Sequence, residues 1–471
     1  MDISSHKALS PRRIATRLAL AAAVLMAAGV FAVRGPVYAW NRGADFVLVY
    51  GPARALLYGA NPYDAADIDR VWAEAGGPFE QRPSTREDGA LIYPLTTLAM
   101  FAPLAALPWS AAQHAWVITN VMFLAIVVLT TARLAGFCFG RNRWCAFTAA
   151  ALLFMPVHTT IRVGQTPLFV MALMGLGYVL RERRTAEPSS AFRSSPADSL
   201  GGGLLSLACL IKPQIGVPFL AFDVLRRRWL VVIAAILVAI VMIAISIAPI
   251  TFRGVAWWDS WQANLGRFTQ GNVGDPTPVN PVRHQLLNLH YPLHCFIENR
   301  AVVKAMVLAI VGGFALVFFR RWVLDFLRVN RDASDQLRCS SPKKWGGGDL
   351  LLPLSMIAVL CLMIVYHRFY DGVLLLLPLA WAIRALGVRR TDPIAWGLLA
   401  LLIPYFLNAA TALKMIEQKV ALPSWLLDAW WWDSLVIPMQ AWALPLMAIL
   451  LIAAREREGR RDDVYGCHDE A

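Results

Sequence analysis

Charge is scarce in this chain. Only 16% of its 471 residues are Asp, Glu, Lys or Arg, against roughly 25% in soluble globular proteins, and that shortage excludes an ordinary soluble enzyme. Cysteine is sparse too. The seven cysteines are scattered, several of them in or beside apolar blocks as at Cys138, Cys145, Cys209 and Cys361, and no CxxC pair occurs. Neither a zinc site nor a disulfide framework is supported. Walker loops, HExxH, GxSxG and a dinucleotide fingerprint in a strand-helix context are missing, which argues against ATP-driven and metalloprotease chemistry.

What is plentiful is apolar. Hydrophobic types make up 58% of the chain and mean hydropathy is +0.53, and the apolar residues fall in blocks rather than at amphipathic spacing. This pattern describes an all-α polytopic membrane protein embedded in a lipid bilayer. Lys and Arg number 44 against 31 Asp and Glu, a net +13. The excess clusters in short stretches between the blocks, so it carries topology and implies no nucleic-acid partner.

The first apolar run, about 14–33, follows Lys7, Arg12, Arg13 and Arg17. Val37-Tyr38-Ala39 resembles a cleavage site, yet the run exceeds the ~7–15 residues of a signal-peptide core, which favours an uncleaved helix with its N-terminus inside. Further spans are expected at 112–136, 143–158, 166–181, 203–212, 213–225, 229–250, 300–320, 350–366, 370–387, 394–412 and 435–454, making roughly twelve crossings. Loops placed inside by that order are basic at 141–143, 181–184, 226–228, 320–344 and 389–390, as is the tail 455–471, so both termini are expected in the cytoplasm.

The same order requires the stretch 95–107, interrupted by Pro103 and flanked by Pro94 and Pro108, to lie on or dip into the outer face without crossing. Segments 203–212 and 213–225 meet at Lys212-Pro213-Gln214, either a tight turn between two shortened helices or one long kinked helix. Residues 185–203, rich in Ser, Pro and Gly, read as a flexible linker. Two outer segments, 34–93 and 251–299, hold most of the remaining polar sequence. Trp257, Trp258, Trp261, Trp425, Trp430, Trp431 and Trp432 fit an interfacial aromatic belt.

Polar residues at the outer ends of apolar spans are the candidates for chemistry. Asp45 reads as an N-cap for a helix starting near Phe46, or as a carboxylate able to take a proton from a hydroxyl. Asp64, Asp67 and Asp69 read as solvated loop residues or caps. Lys212 either snorkels to the interface or meets an anionic lipid phosphate, and Gly164-Gln165 with Arg162 repeats that signal more weakly. A short outside turn has no topological need for His367, Arg368 and Asp371 together. Asn280 to Leu286, which includes Arg283 and His284, is either a plain loop or a fourth element.

In this order the pieces resemble the family 87 glycosyltransferases, polytopic GT-C enzymes that include polyprenyl-phosphate-mannose-dependent α-mannosyltransferases. The matching landmarks are the Asp45 block with Gly59-Ala60-Asn61-Pro62-Tyr63, Tyr93-Pro94-Leu95 with Pro103-Leu104 and Leu107-Pro108, Gly164-Gln165, Lys212-Pro213-Gln214 with Arg226-Arg227-Arg228-Trp229, and His367 to Tyr370. The chain departs where the family shows Tyr-Pro-Pro, here Tyr93-Pro94-Leu95, and an Asn-Gln-Ser-like stretch, here His284-Gln285-Leu286.

The resemblance implies a GT-C fold over 1–386 with short interfacial helices in the outer loops, variable helices over 387–454, and the basic tail. It implies inverting transfer of one sugar, mannose favoured, from a polyprenyl-phosphate donor to a glycolipid or glycan acceptor on the outer face of the cell membrane. Asp45 would be the general base, and Lys212, His367, Arg283 and Arg162 would meet the donor phosphate. Tyr50, Tyr63, Tyr93, Gln165, Gln214, His284 and Tyr370 would contact substrate. No metal or other cofactor is implied. The rivals are a transporter or lipid-linked-sugar flippase, against which stands the lack of any repeat between the two halves, and a non-catalytic subunit or a ligase using a lipid-diphosphate donor.

Overall fold

The computed structural model describes residues 11–40, 42–43, 45–83, 91–182, 196–270, 273–331, 350–420 and 422–465. Nearly every apolar block of the sequence is a helix there. Among the described residues there is no β-strand, only an isolated bridge between Leu286 and Arg368.

In chain order, α1 (Pro11–Ala32) leads into a π-helical turn at Val33–Val37 that contains Pro36. The first polar segment folds as α2 (Val47–Tyr58) and α3 (Ala65–Glu74), and α4 (Leu95–Ala105) precedes α5 (Trp109–Leu134). Then come α6 (Asn142–Leu153), α7 (Met155–Val163), α8 (Pro167–Glu182), α9 (Pro196–Ile211), α10 (Pro213–Leu225) and α11 (Trp229–Thr251). The second polar segment holds α12 (Trp257–Thr269) and α13 (His290–His294), followed by α14 (Arg300–Arg331), α15 (Leu351–Ile364), α16 (Leu376–Val388), α17 (Pro393–Leu407), α18 (Ala409–Lys419), α19 (Ser424–Leu427) and α20 (Met439–Tyr465).

Among the described residues, six helical stretches are long and apolar enough to cross a bilayer, and eight if each of two bent pairs is one span. This is fewer than the roughly twelve crossings expected, because several blocks form helices of only 11 to 16 residues. Both bent pairs have a local cause. α6 and α7 meet at 49°, where Phe154 is extended and Pro156 enters the first turn of α7, so a backbone donor is missing where one helix would have continued. α17 and α18 meet at 43° at Asn408, whose φ is 49°.

The segment around Lys212 is a hairpin and not a kinked helix. Asp198 at the start of α9 lies 3.9 Å from Arg228 just after α10, so the two helices run side by side in opposite directions. Gly216 makes the close approach: a Cβ there would sit 2.5 Å from the amide nitrogen of Cys209. At 1.5 Å per residue the arms rise only ~24 and ~20 Å, short of a ~30 Å hydrocarbon core. The helix α9 starts at Pro196, so the expected linker ends earlier than residue 203; its residues 185–195 lie outside the described ones.

Helix α4 spans only 11 residues, ~16 Å of rise, well short of a ~30 Å hydrocarbon core. It covers the hairpin tip. The hydroxyls of Thr96 and Thr97 donate to the Leu210 carbonyl at 3.1 and 3.0 Å, satisfying an acceptor that the end of α9 leaves open. Helix α15 is buried at every residue from Leu351 to Met363, the mark of a central helix. By contrast α11 exposes Ile233, Ile236, Leu237, Ile240 and Val241, as a lipid-facing helix does.

Basic loops gather at one end of the bundle. There Arg181 faces Asp223 at 2.9 Å, Arg143 donates to the Gly387 carbonyl, and Arg457 pairs with Asp392. The opposite end carries Asp45, Gln165, Lys212 and His367. Arg183, Arg184 and residues 332–344 of the expected basic loops lie outside the described residues.

Candidate active site

Asp45 is buried, 6% exposed, and does not cap a helix with its side chain. Helix α2 starts at Val47, its N-cap position is Phe46, and no side-chain cap bond forms. Instead the Asp45 N–H donates to the Val163 carbonyl at 2.7 Å, and Oδ2 accepts from Gln165 Nε2 at 2.9 Å. Gln165 is itself held, because Tyr93 O–H donates to its Oε1 at 3.0 Å. The Tyr93 backbone carbonyl in turn accepts from Tyr63 O–H at 2.7 Å. Four residues singled out in the sequence therefore form one relay that fixes a carboxylate. Burial pushes the Tyr93 phenol above its ordinary value, and the Asp45 charge adds to this, so Tyr93 stays a neutral donor.

Gly164 makes this arrangement fit. Its φ is +75°, and a Cβ there would lie 2.8 Å from that of Phe46. Only glycine ends α7 in this left-handed turn without strain, and Gln165 follows directly.

Lys212, at the hairpin tip, is paired. Its Nζ lies 2.7 Å from Asp371 Oδ1, with side chains 7% and 2% exposed. Asp371 Oδ2 meets His367 Nδ1 at 3.1 Å and accepts the Arg368 N–H at 3.3 Å. His367 is fully buried, with Cys361 Sγ 3.8 Å from its other ring nitrogen, and that thiol also lies 2.8 Å from the Gln214 carbonyl. The Tyr370 ring centroid is 4.9 Å from Lys212 Nζ. This cluster neighbours the Asp45 relay, since Tyr93 feels the charges of both Asp45 and Asp371.

Beside the relay opens a cavity of about 530 Å³, lined among others by Arg42, Arg162, Arg368, Gln285, Asn408 and Thr411. Val163, which accepts the Asp45 N–H, is part of its wall. Arg42 and Arg162 both pack on Tyr38, with guanidinium carbons 4.5 and 4.1 Å from the ring centroid. Hydrogen bonds from Arg162 and Arg42 pull the Tyr38 phenol below its usual range. Arg368 donates to Gln285 Oε1 at 2.9 Å. Three guanidiniums line this cavity together with one carboxylate, Glu80, and guanidiniums are the side chains best suited to pair with a phosphate.

Other expected contacts lie elsewhere. Tyr50 is fully buried, its O–H donating to the Leu107 carbonyl at 2.6 Å, and it packs against Trp72 and Trp109. Arg283 lies 3.5 Å from Asp433. His284 is half-buried beside Gln285; burial, with Lys414, Arg283 and Arg368 nearby, lowers it to about 4. Neither joins the Lys212 cluster. The Asn61 block is a clamp: Asn61 Nδ2 donates to Ser260 at 3.1 Å and Asn264 Nδ2 to the Tyr63 carbonyl, joining the two polar segments. Trp261 donates to the Ile92 carbonyl there, while Trp258 stays half exposed. Asp64 caps α3 as expected, accepting the Asp67 N–H.

Arg42, Asn408 and Thr411 carried no signal in the sequence. Asp371 and Arg368 were visible only as surplus charge in a turn. Asn408 and Thr411 come from the C-terminal stretch 387–454, so the cavity is built across the boundary drawn at 386.

The model of glycosyltransferase family 87 matches residues 91–340, more than half of the chain. The matched stretch includes Tyr93, Arg162, Gln165 and Lys212, while Asp45, His367 and Asp371 flank it. No curated protein and no solved structure matches.

Proposed function

The chain belongs to glycosyltransferase family 87, and we propose that this membrane glycosyltransferase moves a hexose or pentose, mannose favoured, from a polyprenyl-phosphate donor to a glycolipid or glycan acceptor. The reaction is a single inverting displacement on the exofacial side of the cell membrane, with both termini in the cytoplasm. The observation that carries this reading is a buried carboxylate fixed by Gln165 beside a cavity lined by three arginines.

The acceptor hydroxyl gives its proton to Asp45 while its oxygen attacks the anomeric carbon. The bond from that carbon to the phosphate oxygen breaks, and the lipid phosphate leaves as a monoester with a second negative charge developing. Preplaced cations stabilise that growing charge in a water-poor site. Arg162, Arg42 and Arg368 suit this role better than Lys212, whose charge Asp371 already balances. His367 and Arg283 are engaged with Asp371 and Asp433. The Tyr63, Tyr93 and Gln165 relay orients the base, and Tyr370 and Gln214 belong to the Lys212 cluster behind it.

The test is transfer of radiolabelled sugar from polyprenyl-phosphate donors into a membrane-lipid extract by the purified chain. Asp45→Asn keeps size and hydrogen bonding but not proton acceptance, so transfer should fall ~100-fold or more with donor binding retained. Transfer near wild type in that variant would sink the base assignment. Donor binding without transfer by the wild type would move the chain to the flippase class.

A further inference from the structure

The cavity wall is mixed. Arg42, Arg162 and Arg368 supply cations and Glu80 one carboxylate, whereas Gln285, Asn408 and Thr411 carry neutral amide and hydroxyl groups. The Gln285 oxygen is committed to Arg368. That of Asn408 is not: its Oδ1 is buried and makes no hydrogen bond. Asn408 also precedes α18 without capping it, although capping is the local use that ordinarily occupies an asparagine side chain at such a place.

The backbone accounts for an asparagine here but not for its buried oxygen without a hydrogen bond. Asn408 has φ and ψ of 49°, a left-handed conformation that asparagine tolerates but glycine adopts freely. What glycine lacks is the side chain at the cavity wall. The terminal torsion of an asparagine is broad and two-fold, so a half-turn brings either the C=O or the NH₂ to a ligand. Thr411, a hydroxyl residue one turn further along α18, lines the same cavity.

We infer that Asn408, assisted by Thr411, is a specificity-determining residue that hydrogen-bonds the hydroxyls of a saccharide ring held in the cavity. Amide and hydroxyl side chains read sugar hydroxyls, whereas guanidiniums read phosphate, and the cavity offers both chemistries at once. Its volume, about 530 Å³, falls within the ~300–1,000 Å³ of small-molecule sites. The inference rests on the transferase reading for the nature of the ligand; the ring is that of the donor sugar or of the acceptor.

Saturation-transfer NMR of the full chain in lipid nanodiscs, with methyl α-mannoside and methyl α-glucoside as probes, tests it without any turnover. The wild type should bind one of the glycosides, Asn408→Gly should weaken binding ~5-fold or more while keeping the left-handed turn, and Thr411→Val should weaken it ~2-fold or more. Unchanged binding by a glycine variant that melts like the wild type overturns the inference, as does a wild type that binds neither glycoside. If the glycine variant does not fold, Thr411→Val decides by the same criterion.

Where polyprenyl-phosphate mannose is turned over, a rise in its KM in Asn408→Gly assigns the hydroxyls to the donor, and a rise in the acceptor KM assigns them to the acceptor; a fall in kcat alone overturns the contact. Glycoside binding without transfer from any polyprenyl-phosphate donor would overturn the transferase reading alone.

Discussion

Removing one partner of the Lys212 and Asp371 pair should destabilise the protein more than removing both. At 2.7 Å, and with an effective dielectric of about 20, the attraction is about 6 kcal/mol before desolvation is subtracted. Desolvation of two side chains 7% and 2% exposed takes back most of that, and replacing such pairs with apolar residues is often neutral. Stranding one buried charge has no such compensation and costs ~3–5 kcal/mol. The apparent melting temperature of the purified protein in mild detergent should therefore fall by several degrees in Lys212→Met and in Asp371→Leu. The double variant should melt above either single one, which requires a coupling larger than either single loss, more than ~3 kcal/mol. A double variant that melts at the sum of the two losses would show that the charges do not sense each other. The same double variant should still bind a polyprenyl-phosphate donor, since the three cavity arginines remain.

Gln165→Leu should lower kcat ~10-fold or more while leaving the donor KM within about 2-fold, because it releases the base and touches no phosphate; steady-state kinetics with varied donor separate the two. Gly164→Ala forces a left-handed turn on an L-residue and places a methyl 2.8 Å from the Phe46 Cβ, so thermal melting should show a loss of more than ~1 kcal/mol. His284 is held near 4 from an ordinary 6.5. The unfolded chain therefore takes up a proton there that the folded chain refuses, and stability is lost as pH falls from 6.5 towards 4. His284→Gln should flatten that part of the melting profile, and an unchanged slope would refute the assignment.

Much of the fold was legible because helices and hydropathy are local. The spans expected at 112–136, 229–250 and 300–320 appear as helices starting at Trp109, Trp229 and Arg300, since one run of apolar residues suffices to specify each. The prolines around the stretch 95–107 marked a short helix, and α4 spans 11 residues. The geometry of the candidate site was half legible. Asp45, Gln165, Tyr93 and Tyr63 were singled out, but not the order in which one holds the next. Tyr50 shares the Asp45 block and is a packing residue, a difference that only the position of the Leu107 carbonyl decides.

Composition, blocks and basic loops by themselves determined a polytopic helical membrane protein, and the ordered landmarks determined its family. The tertiary structure alone decided which charges are paired and which line the cavity. Lys212 is neutralised from 159 residues away and Gln165 reaches Asp45 across 120, while the cavity draws Arg42, Arg162, Arg368 and Asn408 from four separate parts of the chain. Helix propensity and hydropathy act within a few residues of sequence, whereas pairing across such separations is set by how the helices pack.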